Sequence, residues 1–171
     1  MIISVDPGVK ATGIAVFDDG ELAFAFLARG ADWFATAKNA HDKLCERLPL
    51  DLVEQSLYIG EVPQVYQARH LKGDPNDLID VTLVFAALVG CKGLAPVLYR
   101  PREWKGQVPK RVSNDRIWSK LSDDERQRVE LPPGRKKTAG ALSHNVIDAI
   151  GIGLHYLRRG EKRSRASGKR S

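Results

Sequence analysis

The sequence predicts an α/β domain built on a five-stranded mixed sheet, a three-strand antiparallel meander plus parallel strands, flanked by helices. Three observations predict it. Apolar runs near the N-terminus are separated by tight-turn signals, Pro7-Gly8 and Asp18-Asp19-Gly20, as in a meander of hairpins. Further runs of strand length, at 57–61 and 95–99, each follow a helical segment, the order that makes parallel pairing through a crossover. Finally, 43% of the 171 residues are hydrophobic, enough for one domain with a sizeable core.

Ile2 to Asp6 reads as a buried strand ended by Pro7-Gly8. Gly13 to Phe17 and Glu21 to Leu27 read as the second and third strands. Asp32 to Leu48 reads as a helix stopped by Pro49, and Leu57 to Glu61 as a fourth strand parallel to one of the first three. Asp74-Pro75 starts a helix, a capping side chain followed by proline at the first helical position. That helix runs through Leu78, Val81, Val84, Phe85 and Leu88 to Gly90 and is apolar on more than one face, so it is either deeply buried or an oligomer interface. Ala95 to Tyr99 reads as the fifth strand, followed by a basic loop carrying Trp104, Lys105, Lys110 and Arg111. Ser122 to Glu125 has the form of a capping box for a short charged helix. A second basic loop, 131–137, holds Arg135, Lys136 and Lys137. Ser143 caps a last helix that ends at Arg158-Arg159-Gly160. There are no internal repeats.

The net charge of +6 is concentrated at one end. Residues 158–171 hold seven basic side chains against Glu161 alone, which accounts for the whole net charge and leaves the preceding 157 residues neutral. The chain therefore divides into a body, 1–158, and a basic, Ser- and Gly-containing tail, 159–171, that reads as disordered and suited either to a polyanion or to solubility alone. Without about 18 consecutive apolar residues, nothing in it spans a membrane, and the N-terminus lacks the basic start of a signal peptide. The expectation is a cytoplasmic protein. Cys45 and Cys91 sit in separate apolar stretches and read as two buried free thiols, not as a disulfide or a zinc site.

Three carboxylates stand out by position. Asp6 and Glu61 end strands one and four, and Asp148 lies in the second turn of the last helix. If strands one and four are parallel neighbours, Asp6 and Glu61 leave the same sheet edge, where open α/β sheets place their sites. Carboxylates forced together repel unless a cation holds them, and an all-oxygen site of this kind suits Mg²⁺ or Mn²⁺. Each residue has a plainer reading: Asp6-Pro7-Gly8 as an ordinary turn, Glu61 as a solvated strand end, and Asp148, opposite the stripe Val146, Ile147, Ile150, Leu154 and Leu157, as part of a solvated face with His144, Asn145 and His155. Gly151 and Gly153 weigh against that last reading. Each costs about 1 kcal/mol relative to Ala within a helix, which implies close backbone packing against the sheet.

Ser4 to Gly8 followed by Thr12 to Val16 resembles the opening strand-turn-strand of RuvC-type Holliday junction resolvases. Ile59 to Val62 is similar to their second motif, and His144 to Leu154 to their C-terminal acidic helix, so the resemblance spans 1–158 in element order. Actin-like and sugar-kinase ATPases share an Asp-containing turn but need two such domains and far more chain. The resemblance implies an RNase H-like fold and a metal-dependent nuclease of DNA recombination and repair, in a bacterial cell or a phage-infected host. It implies that Asp6, Glu61 and Asp148 ligate two divalent ions that promote in-line hydrolysis of a phosphodiester. The family's fourth ligand falls at Asn145, with His144 as its neighbour, and either change removes a negative charge. Tyr66 is the candidate aromatic that stacks at a junction centre, two residues beyond the strictly matching Gln64. Lys105, Lys110 and Arg111, with Arg135, Lys136 and Lys137, are candidate DNA contacts, or ordinary solvated loops. A homodimer would supply two symmetric nicks to a four-way junction. Other RNase H-like nucleases, acting on flaps, replication forks or rRNA, and a non-catalytic binder of branched DNA are the alternative functions. Residues 113–137 depart from the family's pattern.

Overall fold

The computed structural model describes residues 1–62, 76–90, 94–130 and 143–158. Tyr66, Cys91, Arg135, Lys136, Lys137 and the tail 159–171 lie outside the described residues. Five strands, β1 (Ile2–Asp6), β2 (Ala11–Asp18), β3 (Glu21–Arg29), β4 (Leu57–Glu61) and β5 (Val97–Tyr99), form one sheet in the order β3-β2-β1-β4-β5. The first three pair antiparallel, as the sequence predicts, and of the parallel strands it expects, β4 pairs with β1 and β5 with β4.

Side-chain alternation assigns each strand residue to a face. Ile3 and Val5 of β1, Ile14 and Val16 of β2, and Tyr58 of β4 enter a core under α1 (Trp33–Cys45) and α3 (Asp77–Val89), where Ala40, Leu44, Val84 and Leu88 meet them. Ala15, Phe17, Leu22 and Ala25 face the other way, toward Val146, Ile147, Ile150 and Leu154 of α7 (His144–Tyr156). Ile117 and Leu121 close this second core from α5 (Lys110–Ser119) and the turn beyond it.

Several elements depart from expectation for identifiable reasons. Helix α1 stops at Cys45, and Pro49 N-caps a further short helix, α2 (Leu50–Gln55). The stretch after β5 is not one basic loop. Pro101 starts α4 (Pro101–Trp104), where Glu103 accepts from the Arg100 N–H at 2.6 Å, and Pro109 then starts α5, so Lys110 and Arg111 occupy a first helical turn. Helix α5 buries only Ser113 and Ile117, a stripe too narrow to show as periodicity. The Ser122–Glu125 capping box is present at α6 (Asp123–Gln127), and Glu125 also accepts from the Leu22 N–H at 2.8 Å. Ser143 holds the N-cap position of α7 without a side-chain cap bond, and that helix ends at Tyr156. Cys45 is a free thiol but only half-buried, 3.7 Å from the His41 ring. Helix α3 buries Val84, Phe85, Leu88 and Val89, while Ile79 and Leu83 remain 59% and 37% exposed. No helix among the described residues is long and apolar enough to cross a membrane.

Candidate active site

Val5 of β1 pairs with Gly60 of β4, so the next residues, Asp6 and Glu61, leave the sheet side by side. Both fall on the face covered by α7. Helix α7 lies directly on that face because β2 carries glycine where they cross. A Cβ at Gly13 would stand 1.9 Å from the Asn145 carbonyl oxygen and 2.7 Å from the Val146 nitrogen. Two bonds fix the crossing: Ser4 Oγ donates to the Ala149 carbonyl at 2.7 Å, and Asn145 Nδ2 donates to the Ala11 carbonyl at 2.5 Å. The β1–β2 turn is tied by Gly8 N–H to Thr12 Oγ1 at 3.2 Å and by Thr12 Oγ1 to the Gly8 carbonyl at 3.0 Å.

Asp148 thereby faces inward and is buried, not part of a solvated face. The helical wheel did not anticipate that α4 and α5 cover the polar side of α7. Gly151 belongs to this cover: a Cβ there would come within 2.6–2.7 Å of Ile117 and Trp104, whereas one at Gly153 would meet the Phe17 ring of the sheet at 2.1 Å. Of the two glycines, only Gly153 serves the expected packing against the sheet.

Electrostatics join the three carboxylates into one cluster. Burial, then the charges of Asp148 and Glu61, hold the Asp6 carboxyl well above the usual carboxylate range, against the opposing pull of Lys105 and Lys110. Burial also raises Glu61, offset by a hydrogen bond from Trp104 and by Lys105. Trp104 Nε1 donates to Glu61 Oε2 at 2.8 Å, and the next residue, Lys105, places Nζ 2.7 Å from Asp148 Oδ2. Asp148 Oδ1 is buried with no hydrogen-bond partner. His144, exposed at the start of α7, is lowered by burial and by Lys110.

Asp6, Glu61, Asp148, His144, Lys105 and Lys110 thus share one neighbourhood. Arg111 borders a separate open groove with Lys110, Asn114 and Asp115. Asn145 commits its amide nitrogen to clamping the β1–β2 turn. Trp104 is the residue that sequence reasoning missed. Its one signal is its place just before a basic residue in a turn that a proline starts.

The donor set suits a hard divalent cation: three carboxylates, all oxygen, with one buried oxygen left without a partner. Among the described residues, no three of His, Cys, Asp or Glu stand close enough together to close around an ion as they are placed. The Lys105 ammonium occupies the cationic position beside Asp148 instead. The residues fit a metal in kind, with Lys105 as the group that must give way.

Two solved structures resemble the chain over most of its length. One is a T. thermophilus RuvC in complex with Holliday junction substrate, with 16% identity over 93% of this chain and 95% of that one, at a TM-score of 0.58. The other is a Thermus thermophilus RuvC structure, with 18% identity over 91% and 93%, at a TM-score of 0.52. No protein-family model and no curated protein sequence matches the chain. At these identities the likeness is one of fold: the chain has the RuvC-like form of the RNase H-like architecture.

Proposed function

We propose that the chain is a metal-dependent endodeoxyribonuclease that resolves four-way DNA junctions as a homodimer. One observation supports this reading: Asp6 and Glu61 leave adjacent strands at one sheet edge, and Asp148 of the overlying α7 feels the charge of both. The fold they stand on is shared with a RuvC captured with a Holliday junction substrate.

Asp6, Glu61 and Asp148 would hold Mg²⁺ or Mn²⁺, two ions by analogy with the resolvases. Metal bound there supplies an activated water and charge stabilisation for the leaving 3′ oxygen. The chain's own groups do the rest. Trp104 orients the Glu61 carboxylate through its indole N–H. Lys105, released from Asp148, stands where its charge offsets the charge growing on a phosphate. Lys110 and Arg111, in the first turn of α5, extend that positive rim. Tyr66, Arg135, Lys136 and Lys137 are proposed as further DNA contacts. The dimer is proposed through the helix of Val81, Phe85 and Leu88; because Phe85 and Leu88 are buried in the core, its outward apolar residues are Ile79 and Leu83.

The Lys105–Asp148 ion pair favours one second reading, a branched-DNA binder that no longer cuts. Labelled four-way junction, flap, duplex and RNA, each with Mg²⁺ or Mn²⁺, separate the possibilities. Paired nicks in the junction are expected. Cleavage confined to flaps or RNA makes it a different RNase H-like nuclease, and junction binding without cleavage in either metal supports the non-catalytic reading.

A further inference from the structure

Beside Trp104 and Lys105, between α5 and α7, lies a cavity of about 170 Å³. Liquid water takes about 30 Å³ per molecule, so the space holds several waters or one phosphodiester group. Trp104, Ile117 and Leu154 supply its apolar lining, and Gly151 lets Ile117 and Trp104 pack close against α7 at its wall. Four cations line it: Lys105, Arg116, Lys120 and Arg158. Among the described residues, no acidic side chain does. Lys105 is committed to Asp148, but among the described residues neither the Arg116 nor the Arg158 guanidinium has an ion-pair partner. Converging like charges over an apolar floor repel, and an anion relieves that repulsion.

A second observation comes from the backbone. Helix α7 ends at Tyr156 with Leu157 as its C-cap, so Arg158 falls at the position where helices favour glycine. It adopts φ 52°, the left-handed region, which costs a side-chain-bearing residue on the order of 1 kcal/mol. The fold keeps an arginine where its own geometry prefers glycine, and that arginine lines the cavity.

We infer that this cavity is a binding subsite for a backbone phosphate of the nucleic-acid strand, next to the phosphate that reacts. Position supports the class of ligand. Gly151 and His155 are three and seven residues beyond Asp148 on α7, about 5 and 10 Å along the helix axis. DNA rises about 3.4 Å per nucleotide along its axis and the path between neighbouring phosphates is longer still, so the cavity lies roughly one to two nucleotides from the carboxylates. The subsite rests on the nuclease reading for its ligand, but not on cleavage.

The test is equilibrium binding of fluorescent four-way junction and linear duplex to the full chain without divalent metal, across a salt series. Two variants remove the charge: Arg158→Gly, which also relieves the left-handed backbone and so folds at least as well, and Arg116→Gln with Lys120→Gln, all exposed positions. Lys38→Gln, on α1 under the other face of the sheet, is the control. Losing one phosphate contact flattens the slope of log K against log salt by about 0.9. Flattening by about 1 in each cavity variant, with the control unchanged, is expected. Slopes unchanged in both cavity variants, with the wild-type chain binding DNA, overturn the subsite and leave the nuclease reading standing. A wild-type chain that binds neither DNA removes both. Inorganic phosphate at matched ionic strength is the remaining arm: if it raises the wild-type Tm but not that of Arg158→Gly, while slopes stay equal, the cavity takes free phosphate and the strand assignment fails.

Discussion

The two faces of the sheet are both covered by helices, yet they are built on different terms. Under α1 and α3 the contacts are mostly apolar, and the sheet residues there are Ile, Val, Phe, Tyr and Ala. Under α7 the same strands present Ser4, Asp6, Gly13 and Glu61, and the helix answers with Asn145, Asp148 and the Ala149 carbonyl. Strand alternation alone separates the two sets, so a single strand such as β1 serves the core with Ile3 and Val5 and the site with Asp6. The lesson is a division of labour: one face supplies stability that the other can spend on holding three carboxylates together.

The sharpest break of this comparison is on activity. Asp6→Asn, Glu61→Gln and Asp148→Asn are each expected to lower junction cleavage by about 10³-fold, roughly 4 kcal/mol of transition-state stabilisation, while metal-free junction binding persists. Single-turnover rates alongside binding titrations check this, and near-normal turnover in any one variant takes that residue out of the site. On the other face, Leu88→Ala should behave oppositely. Leu88 is buried in the α1–α3 core, and truncation there costs about 3 kcal/mol of unfolding free energy. Denaturant unfolding should show the loss, with cleavage per folded molecule unchanged.

These two faces were not equally legible in the sequence. The antiparallel meander, a fourth strand parallel to one of the first three and the strand ends occupied by Asp6 and Glu61 follow from turn chemistry and crossover rules, while the choice of β1 as the partner of β4 is set by the packing of the whole sheet. Asp148 was visible as a residue but not as a buried one. Its burial depends on α4 and α5, which the sequence hides under basic composition and prolines. Trp104 and the Lys105–Asp148 pair escaped for the same reason: both are contacts 43 residues apart, made by elements with almost no apolar stripe. Local pattern records what an element buries, and these elements bury little of themselves while covering a great deal.

Gly13 tests whether that cover depends on close approach. A Cβ there meets backbone atoms of Asn145 and Val146, which cannot swing aside as a side chain does. Gly13→Ala should cost about 1–3 kcal/mol of stability, the range for overpacking. It should also lift α7 from β2 and lower cleavage further than the lost stability explains. Equal losses of stability and of activity would mean that α7 carries Asp148 back to Asp6 by another route.

The smallest expected effect has the opposite sign. Burial, Asp148 and Glu61 together hold the Asp6 carboxyl above its ordinary range, so the folded chain binds that proton more tightly than the unfolded chain does. A raised carboxylate favours folding below its unfolded pKa, and the benefit is lost as pH rises through the folded value. Above its unfolded value the Asp6 carboxyl therefore opposes folding in the metal-free protein, through a charge held beside two others or a proton the fold must bind. Asp6→Asn removes the charge and keeps the shape, so it should stabilise the metal-free chain by on the order of 1 kcal/mol, or about 2–4 °C in Tm for a domain of this size. The gain should shrink as pH is lowered, because protonation then neutralises Asp6 in the wild type as well. Added Mg²⁺ should raise the wild-type Tm and leave the variant nearly where it was. Thermal melts of both proteins at several pH values, with and without Mg²⁺, decide it. A variant that melts lower than wild type without metal would show that Asp6 is held by favourable contacts, and the carboxylate cluster would then be a structural ion-pair network with Lys105, not a site waiting for a cation.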